Sequence, residues 1–275
     1  MSKIAKSLET RVAPRPSPRR QIAEWLAPLD RITANNPGWL AKPIGGFDQY
    51  GQRYEIPRYI FVGNRSGDVP LRIGIFAGIH GDEPEGVRAL VQLATLFETR
   101  PEIAAGYCVF LYPVCNPTGL EDGTRHSRPG KDLNREFWKN SNEPEVRLLQ
   151  AELVSQSFDG IVSLHTDEHS NGVYGFVRGA TLTRHLLVPA LAAASELLPI
   201  NYDETIDGFH AEDGLIQDCY EGVLSAPPKV RPKPFEIILE TAGQAPVFLR
   251  EAALVAAVNS ILVEYRKFIA YAPNL

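Results

Sequence analysis

The sequence predicts one α/β domain built on a mixed, mostly parallel, twisted sheet with helices on both faces. Apolar runs of strand length alternate along the chain with segments of helical periodicity, which is the pattern of an α/β domain. Polar residues stand at or just beyond the ends of these runs, at His80, Asn116, His165 and Glu240. At 275 residues the chain has the length of one large domain. We place this domain at 31–275, after an N-terminal arm and short helix at 1–30.

Strands are predicted where short apolar runs are bounded by turn residues. In chain order, these runs occupy residues 54–62, 71–79, 107–114, 160–164 and 235–239. The run at 107–114 is almost continuously apolar between Gly106 and Pro117, which is typical of a central strand buried on both faces. Open α/β sheets bind ligands at the carboxyl ends of their strands. We therefore expect the polar residues after these strands to form a site.

Helices are predicted where apolar residues recur at helical spacing. They occupy residues 21–29, 84–99, 144–155, 181–198 and 247–270. Pro84 suits the first position of its helix, where a backbone N–H donor is not needed. The basic, proline-rich segment 11–20 is predicted to be an arm on the surface. The long polar segment 116–137 is typical of a functional loop.

The composition argues against several classes of function. A net charge of −5 does not supply the basic face that a nucleic acid partner needs. No apolar run approaches the roughly 18 residues of a membrane span, and the N-terminus lacks the apolar core of a signal peptide. The 3 cysteines are an odd number that fits a reducing compartment, so we expect a cytoplasmic protein if the organism is bacterial. The composition does not indicate whether the protein is a monomer or an oligomer.

Three residues are candidates to bind a metal ion. His80 and Glu83 stand at positions i and i+3 in the turn after a predicted buried strand, so an imidazole and a carboxylate reach one small volume. His165 ends another predicted strand and is expected at the same edge of the sheet. Catalytic Zn²⁺ sites take three such protein ligands and leave one position for water. The sequence therefore predicts one Zn²⁺ on His80, Glu83 and His165.

Glu240 and an arginine of the loop 116–137 are the candidate catalytic groups. Glu240 follows the strand at 235–239 and is predicted to accept a proton from water and return it to a leaving amine. Arg125 is the candidate to stabilise the oxyanion at an attacked carbonyl. Arg128 lies in the same loop and competes for this role.

Asn134 and Arg135 are the candidate substrate-binding residues. Arg135, held with Asn134, offers a planar fork suited to a substrate carboxylate. An alternative is that Arg135 pairs with Asp132 and fastens the loop. Near His165, Asp167 is a candidate to orient a ligand imidazole. His169 stands at helical spacing from His165, but the predicted strand there argues against a metal role.

Six motifs occur in the order in which the zinc metallocarboxypeptidases carry them. They are His80-Gly-Asp-Glu83, Asn116-Pro-Thr-Gly119, Gly123-Thr-Arg125, Asp132-Leu-Asn-Arg135, Leu164-His165 and Ile238-Leu-Glu240. Over residues 71–242 the chain resembles this family, especially its small bacterial carboxypeptidases and murein peptide amidase-like members, related to succinylglutamate desuccinylase and aspartoacylase. The resemblance implies an α/β zinc hydrolase in which Zn²⁺ binds His80, Glu83 and His165. It also implies that Glu240 is the general base and that Arg125 is the carbonyl-polarising residue. Asn134 with Arg135 would form the terminal-carboxylate clamp.

The resemblance implies a zinc-dependent hydrolase that cleaves an amide bond next to a free carboxylate in a small peptide. The alternative is an N-acyl amino acid deacylase of the succinylglutamate desuccinylase/aspartoacylase type, because these relatives share the first and fourth motifs. Such deacylases carry a β-rich domain after the catalytic glutamate, whereas Glu240 is followed here by one turn and one helix, which favours the peptidase. A third hypothesis is a metal-binding protein without catalysis. Such a protein is expected to lack Glu240 or Arg125, but both residues are present, which argues against this hypothesis.

The region before Glu240 bears on substrate binding. Digestive members of the family cover the substrate with a tyrosine, and Tyr202 and Tyr220 lie in this region, although the sequence assigns neither a role. The segment 207–214 is rich in glycine and acidic residues. Glu212 or Asp213 is therefore predicted either to form an acidic pocket for a basic side chain or to lie in a solvated loop.

Overall fold

The computed structural model describes residues 18–64, 69–181 and 183–271, so most of the predicted arm at 11–20 lies outside the described residues. The strands are β1 Trp39–Ala41, β2 Gly45–Gln49, β3 Gln52–Ile56, β4 Tyr59–Val62, β5 Leu71–Ala77, β6 Tyr107–Tyr112, β7 Gly160–Asp167, β8 Tyr174–Gly179, β9 Thr205–Ile206, β10 Phe209–Glu212, β11 Leu215–Ile216 and β12 Phe235–Ala242. The α-helices are α1 Pro18–Asn35, α2 Pro84–Thr99, α3 Pro117–Asp122, α4 Pro144–Gln156, α5 Thr183–Ser195 and α6 Val247–Tyr271. Short 3₁₀ helices lie at Pro101–Ala104 and Leu133–Arg135.

One large sheet organises the described residues. Its 10 strands have the order β1-β4-β6-β5-β7-β12-β8-β11-β10-β9, and β2 and β3 form a separate hairpin. The central strands β6, β5, β7 and β12 run parallel to one another. Their outer neighbours β4 and β8 are antiparallel to them. The predicted mixed sheet with a parallel centre is therefore confirmed.

Helices cover both faces of this sheet, as the sequence predicts. On one face, α2, α5 and α6 pack on a core that includes Ile75 and Leu164. On the other face, Leu149 of α4 belongs to a core with Phe76 and Ile161. Successive residues of a strand point to opposite faces, so strands covered on both sides are apolar throughout. This explains why the central strands are the ones that the sequence predicts best.

The predicted elements differ from the structure where the local pattern is weak or interrupted. The strand predicted at 54–62 is two strands, because Pro57 lacks the N–H that a ladder needs. β3 pairs with β2 in the hairpin, and β4 joins the main sheet. Strand β8 is not predicted, since Gly175 and Arg178 interrupt its apolar pattern. The other unpredicted strands have at most 5 residues and show no period: β1, β2, β9, β10 and β11.

The first helix is longer than the prediction at 21–29 and is part of the core. Leu29 of α1 is fully buried, and the Tyr59 hydroxyl donates to Asp30 Oδ1 over 2.6 Å. The Arg88 guanidinium of α2 lies over the Trp25 ring, 5.3 Å from its centroid. The predicted boundary after residue 30 falls inside α1, and the division into 1–30 and 31–275 stays a prediction. None of the described helices combines the length and hydropathy of a membrane crossing.

Glu145, in the first turn of α4, makes the stability of the protein depend on pH. It is fully buried, Thr118 Oγ1 lies 3.5 Å from its Oε1, and its Oε2 has no partner among the described residues. Burial, with a smaller effect of the Glu143 charge, raises the pKa of Glu145 to about 7. In the unfolded chain a glutamate titrates near 4.3, so between about pH 4.5 and 7 the unfolded state loses its proton first, and the free energy of unfolding falls as pH rises.

The Glu145→Gln variant is expected to lose this contribution. Relative to the variant, the wild-type free energy of unfolding should fall by about 2–3 kcal/mol between pH 4.5 and pH 8. Urea unfolding of both proteins at several pH values measures the difference, and other titrating groups cancel in the comparison. Parallel pH profiles would show that Glu145 titrates normally in the folded protein.

Candidate metal centre and active site

The candidate site lies at the carboxyl edge of the sheet, between β5 and β7. After β5 the chain turns to β6 on one side, and after β6 it crosses back to β7 on the other, which leaves a crevice between the two connections. His80 follows β5, Glu83 precedes the first residue of α2, and His165 lies near the end of β7. A cavity of about 550 Å³ opens at this place.

The structure brings the three predicted metal ligands together. His80, Glu83 and His165 are buried, and one ligand atom of each lies within 4.8 Å of the others. His80 Nδ1 lies 2.6 Å from Glu83 Oε1, and His165 Nδ1 lies 2.9 Å from Glu83 Oε2. The two Nδ1 atoms are 3.2 Å apart. Tetrahedral zinc with nitrogen ligands at 2.0–2.1 Å places such nitrogens about 3.3 Å apart.

The other nitrogen of each imidazole has its own partner. His80 Nε2 lies 3.3 Å from Asp132 Oδ1, and His165 Nε2 lies 2.9 Å from the Ser163 hydroxyl. With the proton on Nε2 in each ring, both Nδ1 lone pairs point at each other and at the Glu83 carboxylate. Such a cluster of acceptors is stable with a cation among them, so the donor set fits a metal ion.

The electrostatics of Glu83 and His165 agree with the ligand forms that a metal needs, whereas the neighbours of His80 favour its charged form. Burial acts to raise the pKa of Glu83, but the charges of His80 and His165 outweigh it and lower that pKa far below its usual value. Burial lowers the pKa of His165, and Glu83 opposes this only in part. Burial also acts to lower the pKa of His80, but Glu83 and Asp132 raise it. Glu83 is therefore ionised and His165 neutral.

The loop that carries Arg125 is held against the turn that carries His80. Gly81 donates its N–H to Thr124 O over 3.0 Å, and a Cβ at Gly81 would lie 1.9 Å from the Gly119 carbonyl carbon. Only glycine fits this close approach of two backbones. Arg125 Nη1 consequently lies 3.3 Å from His80 Nδ1 and 3.6 Å from Glu83 Oε1.

Of the two competing arginines, Arg125 lines the cavity and Arg128 does not. Arg128 points the other way, with its Nη2 2.6 Å from Asp122 Oδ1 and 3.1 Å from Glu121 Oε2. Its Nη1 also donates to the Tyr54 hydroxyl over 2.5 Å. Arg128 is therefore part of a structural ion-pair network, and Arg125 remains the candidate for the oxyanion role.

Asp132 connects the loop to the candidate metal ligands, a role that the sequence did not predict. Its Oδ2 accepts from Arg125 Nη2 over 3.1 Å, and its Oδ1 faces His80 Nε2 and accepts from the Asn134 N–H. Arg135 makes no hydrogen bond to it in the described residues. The alternative pairing of Asp132 with Arg135 is thus not what the structure shows. Asp132 instead orients one candidate metal ligand and one candidate catalytic residue.

Asp167 does not have the orienting role that the sequence suggested. It accepts hydrogen bonds from the Tyr174 hydroxyl over 3.0 Å and from the His169 N–H over 2.8 Å. Neither ligand imidazole is among its partners in the described residues. Asp132 and Ser163 take that place, since Ser163 stands two residues before His165 on the same face of β7.

An Asp132→Ala variant is expected to bind zinc 10- to 100-fold more weakly, because His80 loses the acceptor that fixes its tautomer. Arg125 also loses its ion pair, so turnover should fall as well. Zinc affinity measured by competition with a chromophoric chelator checks the first effect. The matched control is Asp122→Ala, which breaks an ion pair of Arg128 on the same loop and should leave zinc affinity unchanged.

Glu240 stands beside the triad on the neighbouring strand. In the parallel register of β12 with β7 it pairs with His165, and in the antiparallel register with β8 it pairs with Tyr174. Paired residues of adjacent strands project from the same face, so its carboxylate lines the same cavity. Burial and the nearby charges of Glu83 and Asp167 raise the pKa of Glu240 well above its usual value.

The two predicted clamp residues also line the cavity, but they differ in what holds them. Asn134 is buried, and its Oδ1 accepts the Leu224 N–H over 2.8 Å. The Arg135 guanidinium donates to the Asn134 carbonyl over 2.9 Å and lies 3.9 Å from the centroid of the Tyr220 ring. Within the described residues Arg135 therefore has donors left for a ligand in the cavity, while Asn134 joins the loop to the segment before β12.

The remaining candidate residues differ in whether they line the cavity. Tyr220 lines the cavity, whereas Tyr202 is 68% exposed and does not. Glu212 and Asp213 are exposed and do not line the cavity, and Glu212 pairs with Arg184 over 3.8 Å. The predicted acidic pocket on these two residues is wrong, and the solvated loop is what forms. His169 is exposed at the rim, outside the metal triad.

Two buried imidazoles and a carboxylate at the carboxyl edge of an α/β sheet define the class of metal-dependent hydrolases. The sequence profile of the succinylglutamate desuccinylase/aspartoacylase catalytic domain matches residues 71–211. The chain belongs to this family, which is related to the zinc carboxypeptidases. No curated protein matches the sequence.

Solved structures share the fold. A protein of Shewanella denitrificans OS217 named as a metallopeptidase has a TM-score of 0.71 at 25% identity, over 88% of this chain and 90% of that one. The metallo-carboxypeptidase of Burkholderia cenocepacia has a TM-score of 0.67 at 17% identity, over 90% and 69%. The metallo-carboxypeptidase of Pseudomonas aeruginosa, in complex with (2-guanidinoethylmercapto)succinic acid, has a TM-score of 0.62 at 16% identity, over 89% and 68%. The protein is a hydrolase of the metallo-carboxypeptidase type.

Proposed function

We propose that the protein is a zinc-dependent hydrolase that cleaves an amide bond next to a free carboxylate in a small peptide. The observation that carries this proposal is that His80 and Glu83 of the triad line one cavity together with Glu240 and Arg135, and that His165 completes the triad beside it. Likeness to a metallopeptidase of 25% identity supports the peptide as substrate. Cytoplasmic localisation stays a prediction, and the described cysteines, which form no disulfide, agree with it.

His80, Glu83 and His165 hold the zinc ion in this proposal. When bound, zinc lowers the pKa of water and polarises a carbonyl group. Glu240 accepts the proton of the attacking water and returns it to the leaving amine. Arg125 donates to the oxygen of the attacked carbonyl as negative charge develops there, held for this purpose by Asp132.

Arg135 binds the carboxylate of the leaving amino acid. Its Arg135→Ala variant is expected to raise KM at least tenfold for a substrate with a free carboxylate, because a charge-assisted bidentate contact is lost. The matched control is the same peptide with an amidated C-terminus, for which the variant and the wild type should differ little. Steady-state kinetics on both substrates check this. Equal losses on the two substrates would contradict a carboxylate clamp.

The second candidate is an N-acyl amino acid deacylase, which the family profile favours. Both reactions break an amide whose nitrogen belongs to an amino acid with a free carboxylate, so the described site serves either. The two differ in the acyl part of the substrate. A matched assay compares dipeptides with N-acetyl and N-succinyl amino acids on the zinc-loaded protein. Release of amino acids from dipeptides supports the peptidase, and release from the N-acyl series alone supports the deacylase.

A further inference from the structure

The cavity has an apolar end beside the carboxylate clamp. Ile238 precedes Glu240 by two residues on β12 and projects from the same face of the sheet. Phe176, on the adjacent strand β8, pairs with Ile238. Both side chains are buried in a cluster that also holds Val223. All three line the cavity.

This apolar end adjoins Arg135. Tyr220, on which the Arg135 guanidinium stacks at 3.9 Å, packs against the cluster of Ile238 and Phe176. Cys219, half-buried next to Tyr220, completes the wall. The apolar end adjoins both Glu240, through Ile238 on the same strand, and Arg135, through Tyr220, so it is the surface next to an amino acid held between these two groups.

Among the described residues that line the cavity, Arg135 is the cation next to this apolar end. The arginines that line the cavity within the described residues are Arg125, Arg135 and Arg250. Arg250 Nη1 pairs with Glu85 over 3.2 Å, and Arg125 pairs with Asp132. The carboxylate of Asp207 also lines the cavity and accepts from the Tyr220 hydroxyl over 3.1 Å. A second carboxylate on the amino acid would meet apolar surface and a like charge.

We infer that the leaving amino acid carries an apolar side chain, and that Ile238, Phe176 and Val223 select it. This inference rests on the proposed function. It sets the protein apart from enzymes that release aspartate or glutamate, because no described residue of the cavity lining other than Arg135 offers a cation for their side-chain carboxylate next to this end. The pocket discriminates through the desolvation of the side chain, which favours apolar groups and penalises charged ones.

Three isosteric side chains test the inference. Leucine, asparagine and aspartate have the same branched shape, so their substrates differ only in polarity and charge. We expect kcat/KM at least tenfold higher for leucine than for aspartate, with asparagine between them, in the dipeptides Ala-Leu, Ala-Asn and Ala-Asp or in the matching N-acetyl series. Equal values for the three, or a preference for aspartate, would overturn the inference.

Variants of Ile238 locate the selectivity. Ile238→Ala is expected to lower kcat/KM for the leucine substrate at least about fivefold and to leave that for the aspartate substrate nearly unchanged, since apolar contact is lost. Ile238→Val keeps most of the apolar surface and should keep the preference. A thermal melt of each variant shows that it is folded. An unchanged ratio of leucine to aspartate in folded Ile238→Ala would contradict the role of this residue.

Binding of the free amino acids separates this inference from the proposed function. Leucine should raise the melting temperature of the zinc-loaded wild type more than aspartate does at the same concentration. Turnover of aspartate substrates with the same or better efficiency refutes the apolar pocket and leaves the proposed function standing. Absence of all turnover, together with tighter binding of leucine, refutes the proposed function and supports the pocket.

Discussion

Glu240→Gln is expected to lower kcat by about 10²–10⁴ while zinc binding stays unchanged. Glutamine has the same shape, but it cannot accept the proton of the attacking water or return it to the leaving amine. Glu240 is not one of the three residues whose ligand atoms converge, so the metal site should remain intact. Steady-state kinetics with metal analysis of the purified variant measure both quantities.

The matched control lies on the same strand. Glu236 projects from the same face of β12, four residues before Glu240, and it does not line the active-site cavity. Glu236→Gln should keep near wild-type turnover. An active Glu240→Gln variant would remove Glu240 from its proposed role, and a Glu240→Gln variant without zinc would place it among the ligands instead.

His165→Ala is expected to weaken zinc binding by more than the 10- to 100-fold that loss of a ligand's hydrogen-bond partner typically causes. It removes one of three protein ligands and leaves the ionised Glu83 with a single imidazole partner. Turnover should vanish at zinc concentrations that saturate the wild type. Equilibrium dialysis against buffered zinc gives the affinity.

His210→Ala is the control for this variant. His210 is exposed on β10 and does not line the cavity, so its removal should leave zinc affinity and turnover unchanged. If His165→Ala and His210→Ala bind zinc alike, the triad is not the metal site.

The sequence predicts three residues of the candidate site because each stands at the end of a strand. His80, His165 and Glu240 stand at the ends of apolar runs, and parallel strands bring such ends to one edge of the sheet. The parallel centre is buried on both faces, so its strands are visible as continuous apolar runs. The position of these residues at the site therefore follows from the local sequence pattern, without information on distant contacts.

The residues that support the candidate metal ligands and those proposed to select the substrate are harder to predict, because their roles depend on contacts between segments far apart in the chain. Asp132 reaches His80 across 52 positions of sequence, and only the folded loop shows it. Phe176 lies on β8, whose glycine and arginine residues mask its pattern. Glu212 and Asp213 of the acidic segment 207–214 are exposed and do not line the cavity, whereas Asp207 of the same segment does, since local composition does not show which residues of a segment face a cavity.

Zinc titration of the metal-free protein is the most direct measurement of the central claim. The protein is stripped with a chelator and titrated with zinc, and hydrolysis of Ala-Leu and N-acetyl-leucine is followed at each addition. The account predicts no turnover without metal and a rise that ends at one equivalent of zinc per chain. Turnover that persists in the metal-free protein would contradict the account.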